Sequence, residues 1–151
     1  MILVDTNIPL RIAQLGHAHR QPALDAIRLL TVRDREHFVV CPQSFYEMFV
    51  VCSRPVSANG FGMTPQRARA EVASARTLFQ MLSETPQVYS TWEGLIAKYP
   101  VAGKRAHDVR LVAMMIEHRV PKLLTFNDED FKQFVEIAAA NPFDVLGLPR
   151  V

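Results

Sequence analysis

The sequence predicts a single α/β domain, with a central, mostly parallel sheet of four to five strands flanked by helices. Three observations carry this. Short apolar runs alternate with longer helix-patterned stretches along the whole chain, the order that builds parallel sheets. The 151 residues are 49% apolar and 21% charged, one domain's worth of chain with interior enough for a core. No linker, repeat or low-complexity tract divides it, so residues 1–151 read as one unit with a Pro-rich tail from about residue 141.

Taken in order, Met1 to Val4 is a short apolar run and reads as a buried strand. It stops at Asp5-Thr6-Asn7, and Pro9 suits the first turn of a helix. A second helix is expected over Gln21 to Asp34, with Leu24, Ile27 and Leu30 as its stripe. Phe38 to Val40 is the second strand. Pro42 to Ser53 is a helix, apolar nearly all round and therefore expected to be buried. Arg54 to Met63, with Pro55, Gly60 and Gly62, reads as a loop. Thr64-Pro65 opens a helix to about Met81, with Val72, Ala75, Phe79 and Leu82 on one face. Val88 to Ser90 is read as the third strand, and Thr91 as the start of a short helix towards Tyr99. Gly103 to Arg119 is a long helix stopped by Val120-Pro121. Lys122 to Phe126 is the fourth strand, Asn127 to Asp130 a helical turn, and Phe134 to Ile137 a final strand.

Bulk features exclude several classes. The 17 basic and 15 acidic residues leave a charge of +2, too balanced for polybasic binding, though a sum says nothing of local patches. No stretch approaches the roughly 18–20 apolar residues that span a bilayer. The start, MILVDTN, has no basic region and is not expected to be a signal peptide. Cys41 and Cys52 form neither a CxxC pair nor a zinc spacing. They read as reduced, buried thiols, so a cytoplasmic protein is expected.

The informative feature is the placement of four acids. Asp5 is the only charge in the first ten residues and ends the first strand. Glu47 is the only charge between Glu36 and Arg54, inside an apolar helix. Asp108 falls on the helical face of Leu111, Val112 and Met115, and Asp130 follows the fourth strand. Each alone has a plainer reading: Asp5 and Asp130 as caps, Asp128 and Asp130 as solvated acids, Glu47 and Asp108 as ion-pair partners. One metal site would cover all four, because a carboxylate in an apolar setting needs a partner or a metal. Hard oxygen ligands suit Mg²⁺ or Mn²⁺, the usual apparatus of phosphodiester hydrolysis.

Leu3-Val4-Asp5-Thr6-Asn7, Glu47 in the third helix, His107-Asp108 followed by Leu111-Val112-Ala113, and Thr125-Phe126-Asn127-Asp128-Glu129-Asp130-Phe131 resemble a PIN domain. The likeness is closest to VapC-type ribonuclease toxins of toxin–antitoxin pairs and covers nearly the whole chain. The gaps between the acids, 42, 61 and 22 residues, fit the pattern, the middle one lengthened by the Arg54–Met63 loop and its helix. The resemblance implies a Mg²⁺- or Mn²⁺-dependent endoribonuclease, a homodimer and inhibition by a small antitoxin. It maps the acidic site to Asp5, Glu47, Asp108 and Asp130. It makes Thr6, Asn7 and Thr125 the groups that orient the carboxylates. Where many members carry an acid two residues after the Thr, this chain has Asn127, which offers an amide oxygen without charge.

An RNA substrate needs cations near those acids. The candidates are Arg54, Arg69, Arg76, Lys104, Arg105 and Arg110, each of which also fits a solvated helix face. Trp92, Tyr89 and Phe61 can stack on unpaired bases, although Trp92 beside a helix start also fits simple packing. Two rival functions share parts of the pattern. One is a phosphotransferase or phosphatase with Asp5 as nucleophile, which leaves Glu47 unexplained. The other is a non-catalytic module of the same fold that binds RNA or a protein partner.

Overall fold

The computed structural model describes residues 1–151. Five strands, β1 (Ile2–Val4), β2 (Phe38–Val40), β3 (Gln80–Met81), β4 (Lys122–Leu124) and β5 (Ala138–Ala140), form one sheet in the order β3-β2-β1-β4-β5. Every pairing is parallel. Seven helices accompany them: α1 (Asn7–Ala13), α2 (Arg20–Asp34), α3 (Pro42–Ser53), α4 (Pro65–Leu78), α5 (Pro86–Lys98), α6 (Arg105–Glu117) and α7 (Pro142–Leu146).

Alternation along the strands divides the core in two. Ile2, Val4, Phe38, Val40 and Leu124 pack with side chains of α1 to α4. Leu3, Val39 and Leu123 point the other way and pack with α5 and α6. Both faces are therefore covered, which is why the strands read as unbroken apolar runs rather than alternating ones. No helix is long and apolar enough to cross a membrane.

The strand order places the functional edge. The chain runs outward from β1 to β2 and β3, then returns to lay β4 and β5 on the other side of β1. Ligands of such sheets bind off the carboxyl ends, where the order reverses. The backbone N–H of Asp5 donates to Leu124 O at 3.0 Å, so the residues just past β1 and β4 lie side by side at that edge.

The expected elements fall largely in place, with four corrections. Val88–Ser90 is not a strand but the first turn and a half of α5. Thr85-Pro86 repeats the start signal of Thr64-Pro65, and Val88, Trp92, Leu95 and Ile96 form a helical stripe against α6. The third strand is instead Gln80–Met81, an exposed edge segment, so α4 ends at Leu78 rather than Met81. The last strand is Ala138–Ala140, not Phe134–Ile137. Phe134 turns inward to the core, and the weak strand preference of alanine hid the true segment. Finally, α3 is not buried all round: Tyr46 and Val50 are exposed on the side that faces the functional edge. In α2 the buried face is carried by Ala23, Ala26 and Leu30, while Leu24 and Ile27 are only partly covered. The tail beyond Asn141 is also ordered. Asn141 caps α7 by accepting a bond from Phe143 N at 3.1 Å.

The Arg54–Met63 loop folds back on α3. Phe61 N, Gly62 N and Met63 N donate to Val51 O, Arg54 O and Cys52 O. A Cβ at Gly60 would lie 2.0 Å from Arg54 O, so only glycine fits there. Cys41 and Cys52 are free and buried, as expected.

Candidate active site

The carboxyl edge of the sheet opens into a cleft lined by Asp5, Glu47 and Asp108. Each comes from a different element. Asp5 follows β1, Glu47 lies in the second turn of α3, and Asp108 lies in the first turn of α6. Thr6, Asn7, Asn127, Arg54, Lys104, Arg105 and His107 complete the polar lining.

The Asp5 carboxylate is held from both strands. Its Oδ2 accepts from Asn7 Nδ2 at 2.7 Å and from Thr125 Oγ1 at 2.7 Å. Asn7 Nδ2 also donates to Thr125 Oγ1 at 2.9 Å, and Asn7 Oδ1 accepts from Phe126 N at 3.2 Å. Thr125 Oγ1 accepts in turn from Asn127 N at 3.0 Å. Asn7 and Thr125 thus tie the end of β1 to the end of β4 and fix the carboxylate between them. Glu47 is oriented in the same way. Its Oε2 accepts from Thr6 Oγ1 at 2.7 Å and its Oε1 from Gln43 Nε2 at 2.7 Å.

The acids feel one another. Burial pushes the Asp5 carboxyl up to about 6, against the pull of its Thr125 bond, and the charges of Asp108 and Glu47 push the same way. Burial likewise raises Asp108. Arg105 draws it back down, while Asp130 and Glu47 push it up.

Asp130 stands apart from the cleft lining. Its Oδ1 accepts from Arg105 Nη1 at 2.8 Å, and its backbone carbonyl accepts a second bond from the same guanidinium. Arg105 Nε is 3.9 Å from Asp108 Oδ2, so one arginine spans both acids. Asp128, two residues away, has different partners. It is buried, with Asn141 Nδ2 at 2.9 Å and Arg150 bonded to both oxygens at 3.0 Å. That pairing makes Asp128 a structural group.

The six candidate cations do not gather at one place. Arg54, Lys104 and Arg105 line the cleft. Arg54 donates Nη2 to Asn59 O at 2.8 Å and keeps a buried Nε–H without an acceptor. Arg69 and Arg76 line a separate groove beside Phe49. Arg110 is bonded to Gln43 Oε1 at 2.7 Å and to Glu84. Gln43 is the residue that sequence reasoning missed. It bridges Glu47 and Arg110, and the only signal for it was its position one turn before Glu47 in α3.

A PIN-domain family model matches residues 2–137, a span that holds all four acids. The chain belongs to the PIN-domain family. The PIN fold is repeated in solved structures at low sequence identity. A chain of VapBC2 from Rickettsia felis, solved bound to a DNA fragment from its promoter, superposes with a TM-score of 0.72 at 13% identity, covering 93% of this chain and 98% of that one. A chain of DNA-bound VapBC from Salmonella typhimurium gives 0.69 at 15% identity, over 93% and 97%. VapC20 of Mycobacterium tuberculosis, described as a sarcin–ricin-loop cleaving toxin, gives 0.64 at 18% identity, over 91% and 98%. No curated protein sequence matches the chain.

The donors of this PIN cleft suit a divalent cation of the hard, oxygen-seeking kind. All are carboxylates, and Asp5 and Asp108 are held above their ordinary range by burial and like charge, a burden that a cation relieves. No three His, Cys, Asp or Glu side chains close into a preformed cage. That arrangement fits an ion such as Mg²⁺, which keeps several waters and takes one or two carboxylates.

Proposed function

We propose that this PIN domain is a Mg²⁺- or Mn²⁺-dependent endoribonuclease, the toxin of a toxin–antitoxin pair. The observation that carries the reading is the convergence of Asp5, Glu47 and Asp108, from three separate elements, on one cleft where the strand order reverses. Asp5 and Asp108 would hold the cation, with Glu47 beside them and Asp130 joining from its Arg105 pair. When bound, the cation offsets the phosphate charge and lowers the pKa of an attacking water.

The chain's own groups do the rest. Asn7 and Thr125 keep the Asp5 carboxylate aimed, and Thr6 and Gln43 do the same for Glu47. Arg54, Lys104 and Arg105 supply N–H donors and positive charge to the RNA phosphates on either side of the cut. Water adds to phosphorus, the bond to the leaving oxygen breaks, and that oxygen takes up a proton. The phosphotransferase alternative gains no support. Asn7 stands two residues after Asp5 and is occupied in bonding Asp5 and Thr125, and Glu47 would have no role there.

The fold shared with a toxin–antitoxin complex from Klebsiella pneumoniae supports a cognate antitoxin as partner; a homodimer and a cytoplasmic setting are proposed from the family resemblance of the sequence alone. The test is cleavage of a structured RNA in Mg²⁺ or Mn²⁺ by wild type, Asp5→Asn and Asp108→Asn. Metal-dependent cuts that vanish in both variants are expected. Cleavage that persists in EDTA overturns the reading.

A further inference from the structure

A second groove lies on the far side of His107. Tyr89 and Trp92 of α5 form its wall, Arg110 and Glu84 stand at its rim, and His107 lines both this groove and the acid cleft. Trp92 donates its indole N–H to Ala106 O at 2.9 Å, which fixes the ring between α5 and α6. Tyr89 is 61% exposed. Its ring centroid is 5.7 Å from that of Trp92, with the planes inclined by 35°, so the two rings do not cover each other's faces. Docking of α5 does not require Tyr89, because Val88 and Leu95 already bury the helix stripe.

We propose that this groove holds an unpaired nucleobase of the RNA whose backbone lies in the acid cleft. The proposal rests on the ribonuclease reading and adds to it a base-binding subsite beside the acid cleft. Aromatic side chains stack on any base and leave its edges free. The rim matches such an occupant. Arg110 and Glu84 are paired with each other there, and the adjoining cleft, which shares His107, is lined by Lys104 and Arg105, where phosphates are favoured. A docked apolar helix would leave that charged rim facing it.

Trp92 is the only tryptophan in the chain, so its fluorescence reports on the groove directly. The wild-type protein is titrated in EDTA, where turnover is blocked, with an oligouridylate and with an abasic ribose-phosphate strand of equal length. The base-bearing strand is expected to quench Trp92 and to bind roughly 10-fold more tightly, the contribution of one base–aromatic stack. Tyr89→Ala removes that advantage without changing abasic binding, and Tyr89→Phe keeps it. Equal affinity for the two strands, no binding of either, or a Trp92 signal that follows protein concentration alone and so marks a second copy, overturns the proposal. Base-dependent quenching without cleavage in Mn²⁺ would keep the groove and refute the nuclease.

Discussion

Two groups of carboxylates in this molecule are treated in opposite ways. In the cleft, Asp5 and Asp108 are pushed above their ordinary range by burial and by one another. Burial also pushes Asp128 up, but the bonds from Asn141 and Arg150 outweigh it and hold that carboxyl down. The Arg150 bond holds Asp144 down as well. Asp130, two residues from Asp128, belongs to neither group: it stands outside the cleft lining, paired with Arg105. The difference lies in what stands opposite. The paired acids have their cation within the chain and add to the fold. The cleft acids have no such full partner; Arg105, 3.9 Å from Asp108, is shared with Asp130.

The largest expected effect is on activity. Asp5→Asn keeps the acceptor for Asn7 and Thr125 but removes the charge. RNA cleavage should fall by roughly a thousandfold, since loss of an anionic ligand removes several kcal/mol of stabilisation in the reacting state. Asp128→Asn, assayed well below its unfolding temperature, should cleave at near the wild-type rate. Equal losses in both variants would erase the distinction between the two groups.

Next comes stability in the absence of metal. Asp5 binds a proton more tightly folded, at about 6, than unfolded, at 3.8. Its effect on stability therefore turns unfavourable as pH rises from about 4 through about 6, and reaches about 3 kcal/mol at neutral pH. Asp5→Asn should be the more stable protein at pH 7 in EDTA, with the gap closing by pH 4. Asp128 runs the other way. Its folded value lies below 3.8, so its contribution is present above about pH 4 and is lost as pH falls further. Denaturant melts of wild type, Asp5→Asn and Asp128→Asn across pH 3 to 8 separate the two signs, and parallel curves would refute them.

A smaller loss is expected from the anchor of the paired group. Asn141 caps α7, donates to Phe126 O at 3.0 Å and holds Asp128. Asn141→Ala removes a cap and strands the Phe126 carbonyl, while Asp128 Oδ1 keeps its Arg150 bond, at a cost of about 2 kcal/mol. The unfolding temperature should drop by roughly 4–8 °C, with metal-dependent cleavage retained below it.

How much of this was legible in the chain follows from the same contrast. Asp5, Glu47 and Asp108 stood out because a charge amid apolar residues has few explanations, and the structure brings them to one cleft. The first, second and fourth strands were legible because burial on both faces leaves an unbroken apolar run. The third and fifth were not. Gln80–Met81 and Ala138–Ala140 owe their strand state to pairing with β2 and β4, a tertiary cause with no local signature. The Arg105–Asp130 and Arg150–Asp128 pairs join residues 25 and 22 positions apart. Nothing in a linear reading distinguishes those partners from any other Arg and Asp.

The smallest effect is the most discriminating. If the cleft acids await a cation, Mg²⁺ should stabilise the folded protein by mass action, by about 1.4 kcal/mol at ten times its dissociation constant. That is a rise of a few degrees in unfolding temperature. Asp108→Asn should lose the rise, because it removes one of the two carboxylates raised by burial and like charge. Asn141→Ala should keep it in full from its lower starting point. Asp130→Asn divides two versions of the site. A rise that persists leaves Asp130 as the partner of Arg105 alone. A rise that shrinks puts Asp130 within reach of the ion, which requires Arg105 to release it and swing towards Asp108, 3.9 Å away. Ca²⁺ in place of Mg²⁺ extends the measurement. A larger ion accepts more oxygens at looser geometry, so an equal shift with Ca²⁺ would mean that the cleft selects for charge alone, and a stronger one that its oxygens suit the larger ion.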